Sequence, residues 1–174
     1  MNMFKKMAVV LLVLATAACT DPDRFGGGAG GAGGAGGAGA DGALAGSASD
    51  PTSPQYFNQT IGDRVLFAVD TSTITNQGKI ILDGQAAWLL ANADYRAVIE
   101  GHADEQGTRE YNLALGQRRA NAVREYLVSR GVPTGNLQVT SFGKEKPISI
   151  CSDESCYAQN RRAVTVLSFS AITG

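Results

Sequence analysis

Residues 98–126 read VIEGHADEQGTREYNLALGQRRANAVREY, and this stretch decides the fold. Its first residues continue an apolar run, Tyr95 to Ile99, that ends at Gly101 and predicts a short buried strand. From Arg109 the apolar residues recur at spacings of three, four and seven, which predicts an amphipathic helix. The sequence therefore predicts a strand, a loop and a helix in succession.

Opposite charges flank the loop between this strand and this helix. Asp104 lies on the loop, and Arg118 and Arg119 lie in the middle of the helix. Because open sheets bind ligands beyond the carboxyl ends of their strands, a carboxylate and a guanidinium can face each other across a pocket there. Such a pair suits a ligand with both an ammonium and a carboxylate group. The alternative is that Asp104 and Arg119 simply pair with each other at the surface.

The chain after residue 61 has the length of one domain with one modest core. Its elements follow the order β-α-β-α-β-β, which predicts an α+β domain with helices packed on one face of a mixed sheet. The predicted strands are Arg64–Val69, Arg96–Glu100, Leu137–Phe142 and Ala163–Phe169, and the predicted helices are Asn76–Asn92 and a long one from Arg109 that Gly131 and Pro133 end.

Three motifs in this domain resemble those of the OmpA-like C-terminal domain family, in the version carried by peptidoglycan-associated lipoproteins. They are GHADEQGTREYNLALGQRRANAV at 101–123, GKEKP at 143–147 and NRRAV at 160–164. The resemblance implies the fold of that family and non-enzymatic binding of peptidoglycan. It also implies membership of the Tol-Pal system, which acts in envelope constriction at cell division, with the propeller protein TolB as an alternative partner.

The resemblance assigns roles to particular residues. It implies that Asp104 meets the ammonium, and Arg119 the carboxylate, at the free end of meso-diaminopimelate in the peptidoglycan stem peptide. The further candidates for the same groove are Asn112, Leu115, Arg118 and Asp70. Asn112 is alternatively an exposed polar residue and Leu115 a core residue. Arg118 lies about 100° round the helix from Arg119, so it makes the weaker claim to this groove.

The chain begins with two lysines and an apolar run from Met7 to Ala15, which is shorter than a membrane-spanning helix. This predicts a signal peptide over residues 1–18. The residues TAAC before the cut resemble a bacterial lipobox, which implies acylation of Cys19. Thr20 is not the Asp that favours inner-membrane retention, so the resemblance implies an anchor in the outer membrane. The alternative is an ordinary cleaved signal that leaves Cys19 free.

Residues 19–60 are predicted to form a lipidated N-terminus and a flexible Gly/Ala-rich tether. Residues 61–174 are predicted to form the OmpA-like peptidoglycan-binding domain. Residues 26–46 are almost entirely Gly and Ala, so they bury too little apolar surface to offset the entropy of ordering them. Removal of the two signal lysines leaves 13 basic against 16 acidic residues, a balance that argues against a nucleic-acid partner.

Cys151 and Cys156 enclose the loop CSDESC, and export to an oxidising compartment predicts a disulfide between them. The alternatives are two free thiols or a metal site. His102 is the sole histidine, and with no second ligand or nucleophile motif it is predicted to be structural or at the edge of the pocket. We expect no catalytic residue, cofactor or metal.

Two other functions share the same ligand. An enzyme that cuts peptidoglycan would need two positioned carboxylates, and nothing in the sequence pairs Asp104 with Glu105 or Glu110 at a cleavage site. The cell-wall anchor of a motor stator would need an uncleaved membrane helix with an ionisable residue. The run from Met7 to Ala15 has neither the length nor the charge.

Overall fold

The computed structural model describes residues 46–169. The predicted signal peptide, Cys19 and nearly all of the Gly/Ala-rich segment lie outside the described residues. The strands are β1 (Arg64–Leu66), β2 (Tyr95–His102), β3 (Leu137–Gly143) and β4 (Arg162–Phe169), and the helices are α1 (Pro54–Tyr56), α2 (Asn76–Ala91), α3 (Arg109–Ser129) and α4 (Glu154–Asn160). A π-helical segment, Phe57–Gly62, extends α1, and a 3₁₀ turn, Thr134–Asn136, precedes β3.

The four strands form one mixed sheet in the order β1-β4-β2-β3. β4 is antiparallel to both of its neighbours, and β2 is parallel to β3. Alternate residues of each strand face α2 and α3, as Ala97 and Ile99 of β2 do, and they share one core with Leu82 of α2 and Val123 of α3. The predicted α+β fold, with the helices on one face of a mixed sheet, is confirmed.

The first strand is shorter than predicted. Leu66 pairs with Arg162, the first residue of β4, so the residues after Phe67 have no partner in the sheet. The chain turns away instead, and Asp70 has a φ of 54°, which is uncommon outside glycine. This early exit carries Asp70 out of the sheet and toward the end of β2.

The predicted domain boundary at residue 61 lies too late in the chain. Phe57 has no exposed surface, and its ring packs edge-on against Trp88 with 5.0 Å between the ring centroids. The Trp88 indole N–H in turn donates to the carbonyl oxygen of Pro51 at 2.7 Å. The segment before residue 61 is therefore part of the folded unit, because an aromatic anchor fixes it to α2.

Two glycines bring α3 against β2. A Cβ atom built on Gly101 would lie 1.8 Å from the carbonyl oxygen of Gly116, so only glycine at position 101 allows this approach. The contact places the middle of α3 directly beside the carboxyl end of β2. It therefore brings Arg119 close to the residues that leave the strand.

His102 ends β2 with its side chain only 1% exposed. The imidazole stacks on Phe142 with 5.6 Å between the ring centroids, and within residues 46–169 neither ring nitrogen has a hydrogen-bond partner. Burial, followed by the nearby charges of Arg162 and Lys146, lowers the pKa of His102 from 6.5 to about 4. The fold therefore holds this histidine neutral.

We expect Phe57→Ala to lower the free energy of unfolding by about 3–5 kcal/mol, since it empties a fully buried aromatic site. Urea denaturation measures this loss. Ile80→Ala is the control, because Ile80 is 66% exposed and its truncation should change stability by less than about 0.5 kcal/mol. Equal, small losses in both variants would show that the segment before residue 61 is not part of the core.

The neutral state of His102 predicts a pH-dependent stability. The folded pKa lies below the unfolded one, so the unfolded state binds more protons between pH 6.5 and 4, and stability falls as the pH drops through this window. The loss attributable to His102 is about 3 kcal/mol. Urea denaturation at pH 7.5 and pH 4 should show that the free energy of unfolding falls less between these two pH values in His102→Gln than in the wild type. Identical losses in the two proteins would contradict this account.

Candidate ligand-binding pocket

A pocket of about 240 Å³ lies where β2 ends and α3 begins. Four of the six ligand-site residues predicted from the sequence line it. The lining residues are Val69, Asp70, Asp104, Gln106, Gly107, Tyr111, Asn112 and Leu115. A larger hollow of about 490 Å³ lies beside the edge strand β1, and it contains none of the predicted site residues.

Asp104 lies at the inner wall of the pocket with only 9% of its surface exposed. One carboxylate oxygen, Oδ1, accepts a hydrogen bond from the backbone N–H of Gln106 at 3.2 Å. The other, Oδ2, accepts from Nη1 of Arg161, also at 3.2 Å. Asp104 therefore pairs with Arg161, and the alternative in which it pairs with Arg119 at the surface is wrong.

Arg119 lies behind the pocket with no exposed surface. Its guanidinium donates to three backbone carbonyl oxygens and stacks 5.3 Å from the ring centroid of Phe67. The acceptors are Thr71 and His102 at 2.8 Å each and Ala68 at 3.1 Å. Since a guanidinium has five N–H groups and three of them donate to these carbonyl oxygens, two are left for a further acceptor.

The charge of Arg119 is retained despite its burial. Desolvation lowers its pKa to about 10, and the nearby carboxylates of Asp104 and Asp70 act in the opposite direction. At neutral pH the guanidinium is therefore cationic. The pocket combines two carboxylates at its lining with one buried cation behind them.

Asp70 lies on the exposed rim of the pocket, where Oδ1 accepts a hydrogen bond from the hydroxyl of Tyr111. Because this bond joins the segment after β1 to the first turns of α3, it closes one side of the pocket.

Asn112 and Leu115 form the α3 side of the pocket. Asn112 is 1% exposed and donates from Nδ2 to the carbonyl oxygen of Gln106 at 2.7 Å, so its interpretation as an exposed polar residue is wrong. Leu115 is 5% exposed and belongs both to the buried residues and to the pocket lining. Asn112 fixes the loop after β2, and Leu115 supplies an apolar floor.

Arg118 does not line the pocket. Its guanidinium lies 5.8 Å from the ring centroid of the pocket residue Tyr111. Adjacent residues on a helix point about 100° apart, which explains why only one of the two arginines lies behind the site.

The sequence interpretation missed Arg161, which it included only within the NRRAV motif at 160–164. Arg161 is 4% exposed and contacts Asp104 from a position 57 residues further along the chain. It directly follows α4, a helix that was not predicted. The signal that could have revealed α4 is Asp153, whose side chain caps it by accepting from the backbone N–H groups of Ser155 and Cys156.

The structure joins Cys151 and Cys156 in a disulfide, with 5.8 Å between their Cα atoms. The one cluster of potential metal-ligating side chains in the described part of the chain is Cys151, Asp153 and Cys156. Both sulfur atoms of this cluster are used in the disulfide. Among the same residues, no helix is both long and apolar enough to cross a membrane.

Comparison with known proteins places the chain in a family. The model of the OmpA family matches residues 66–161. The peptidoglycan-associated lipoprotein of Rhizobium meliloti is 55% identical over 124 residues, which cover 71% of this chain and 70% of the relative. The protein of the same name from Haemophilus influenzae is 41% identical over 167 residues, which cover 94% of this chain and 98% of the relative.

Solved structures agree with this result. The crystal structure of the peptidoglycan-associated lipoprotein from Burkholderia pseudomallei aligns with a TM-score of 0.62 and 40% identity, covering 70% of this chain and 98% of that one. The C-terminal domain of Helicobacter pylori MotB aligns with a TM-score of 0.58 at 20% identity, which shows a shared fold alone. The chain described here therefore belongs to the OmpA family and, within it, to the peptidoglycan-associated lipoproteins.

Proposed function

We propose that this chain ties the outer membrane to the cell wall by binding the meso-diaminopimelate of the peptidoglycan stem peptide in the pocket between β2 and α3. The names of its relatives support association with peptidoglycan. Within the structure, the observation that carries the proposal is the position of two pocket carboxylates, Asp70 and Asp104, near the buried cation of Arg119.

The free end of meso-diaminopimelate carries an ammonium and a carboxylate on one carbon, and the pocket offers a group for each. Asp104 and Asp70 accept hydrogen bonds from the ammonium, and such charge-assisted bonds are about twice as strong as neutral ones. Arg119 provides the cation toward which the ligand carboxylate is drawn. Leu115 contacts the methylene groups of the ligand, and the amide of Asn112 keeps the loop in place.

The anchor and the partners are parts of the same proposal. Acylation of Cys19 with more than one chain would hold the protein firmly in the outer membrane, with the tether linking it to the domain. TolB and the other Tol-Pal components are the proposed protein partners, in envelope integrity and cell division. Cys19 and most of the tether lie outside the described residues, so their support is the sequence pattern and the lipoprotein name of the relatives.

The two alternative functions receive less support. The relatives are named as lipoproteins that associate with peptidoglycan rather than as enzymes, in agreement with the prediction that the chain is not an enzyme. The likeness to MotB extends to the fold alone and carries no argument for a stator anchor.

Asp104→Ala should abolish sedimentation of the protein with purified diaminopimelate-type peptidoglycan. The substitution leaves the ligand ammonium without a buried partner, at a cost of about 2–5 kcal/mol. Asp94→Ala is the matched control, since Asp94 is exposed and lies outside the pocket lining, so this variant should bind as the wild type does. If Asp104→Ala sediments with the wall as fully as the wild type, Asp104 does not hold the ligand.

Arg119→Ala should lose both wall binding and stability. The substitution leaves the three carbonyl acceptors of Thr71, His102 and Ala68 unpaired in a buried site, at a cost of about 3–5 kcal/mol in the free energy of unfolding. Urea denaturation measures the stability, and sedimentation is then compared at a temperature where both proteins are folded. A variant as stable as the wild type would contradict the structural part of this role.

A further inference from the structure

Arg161 lies between two carboxylates. Nη1 donates to Asp104 Oδ2 at 3.2 Å and to Glu154 Oε2 at 3.3 Å, and Nη2 donates to Glu154 Oε1. Nε donates to the carbonyl oxygen of Phe67 at 3.3 Å. Glu154 therefore engages both terminal nitrogens of the guanidinium, whereas Asp104 receives one bond from it.

Because each carboxylate oxygen of Asp104 accepts only one hydrogen bond, both oxygens can still accept from a ligand ammonium. A guanidinium can engage one carboxylate with two parallel hydrogen bonds, and a bidentate pair of Arg161 with Asp104 would compete with a ligand ammonium for the same oxygens. Glu154 already accepts from both Nη1 and Nη2 of Arg161, so the fork of this guanidinium is engaged by Glu154 and not by Asp104. The single bond from Arg161, together with the Gln106 N–H, still fixes the plane of the Asp104 carboxylate.

Glu154 lies in the first turn of α4, which has only seven residues. Isolated helices of this length are marginal in water, and the only buried residue of α4 is Asn160, which is polar. Apolar packing therefore contributes little to holding the helix. The disulfide from Cys156 to Cys151 and the capping carboxylate of Asp153 fix its first turn, and the Asn160 side chain fixes its last.

We propose that Glu154 and Arg161 are positioning residues for Asp104, and that the Cys151–Cys156 disulfide keeps Glu154 in place to hold Arg161. This inference rests on the proposed function, because it concerns the same pocket. Loss of the Glu154 carboxylate, or of the disulfide, lets Arg161 close on Asp104 and weakens ligand binding. The side chain of Glu154 is 66% exposed, so its removal leaves the core intact.

The test is isothermal titration of the purified protein with a soluble stem tripeptide that ends in meso-diaminopimelate. Glu154→Gln should raise Kd about threefold, as expected for a partly exposed ion pair. Glu154→Asp keeps the carboxylate, so its Kd should be closer to the wild-type Kd than that of Glu154→Gln. Glu125→Gln, which removes an exposed carboxylate from α3, is the control and should leave Kd unchanged.

The route through Arg161 is tested by a double-mutant cycle. In the Arg161→Gln background, adding Glu154→Gln should leave Kd unchanged, because the residue it acts on is gone. The double variant Cys151→Ser/Cys156→Ser should raise Kd, as Glu154→Gln does. Adding Glu154→Gln to this double variant should raise Kd little further. A purely structural role of Glu154 would instead give additive effects, which overturns the inference.

Reduction of the wild-type protein gives an independent measurement. A dithiol reductant passes two electrons and two protons to the disulfide, yields two thiols on Cys151 and Cys156, and itself becomes a cyclic disulfide. Kd should rise in the wild type and stay constant in the double serine variant. An unchanged Kd in the reduced wild type overturns the role of the disulfide.

The outcomes separate this inference from the proposed function. If the wild type does not bind the tripeptide, or Asp104→Asn binds as the wild type does, the proposed function fails. If the wild type binds and Asp104→Asn does not, while Glu154→Gln and the double serine variant match the wild type, the positioning role alone is overturned.

Discussion

The buried guanidinium of Arg119 is the interaction on which the arrangement of the site depends. One side chain on α3 donates to carbonyl oxygens in the segment after β1 and at the end of β2. Burying a charge is costly unless it is paired and hydrogen-bonded, and these acceptors together with the nearby Asp70 and Asp104 supply that compensation. The two strand ends that form the pocket are thus fixed to one helix.

Charges alternate outward from this residue. Behind the pocket lies the Arg119 cation, followed by the Asp104 carboxylate, the Arg161 cation and the Glu154 carboxylate at the surface. Each buried charge has an opposite charge as a neighbour, so the series is electrostatically compensated while the pocket lining itself carries carboxylates. A pocket with this lining favours a cationic group at its mouth and an anionic group at its back.

Local patterns predicted much of this structure, and long-range contacts account for what they missed. The strand, loop and helix within residues 98–126 follow from apolar periodicity, and these elements carry Asp104 and Asn112, which line the pocket. The bond between Asp104 and Arg161 joins residues 57 positions apart, so no local spacing reveals it. Phe57 follows Tyr56 in a short segment with no apolar repeat, and only its packing on Trp88 shows that it belongs to the core.

The central claim is that the pocket between β2 and α3 binds the zwitterionic end of the stem peptide. The most direct test is nuclear magnetic resonance of ¹⁵N-labelled protein titrated with the diaminopimelate tripeptide. Binding in this pocket should shift the backbone amide signals of residues 68–71 and 102–119 and the side-chain amide signal of Asn112, with little change elsewhere. Shift changes confined to the apolar hollow beside β1, which Leu66 and Ile148 line, would contradict it.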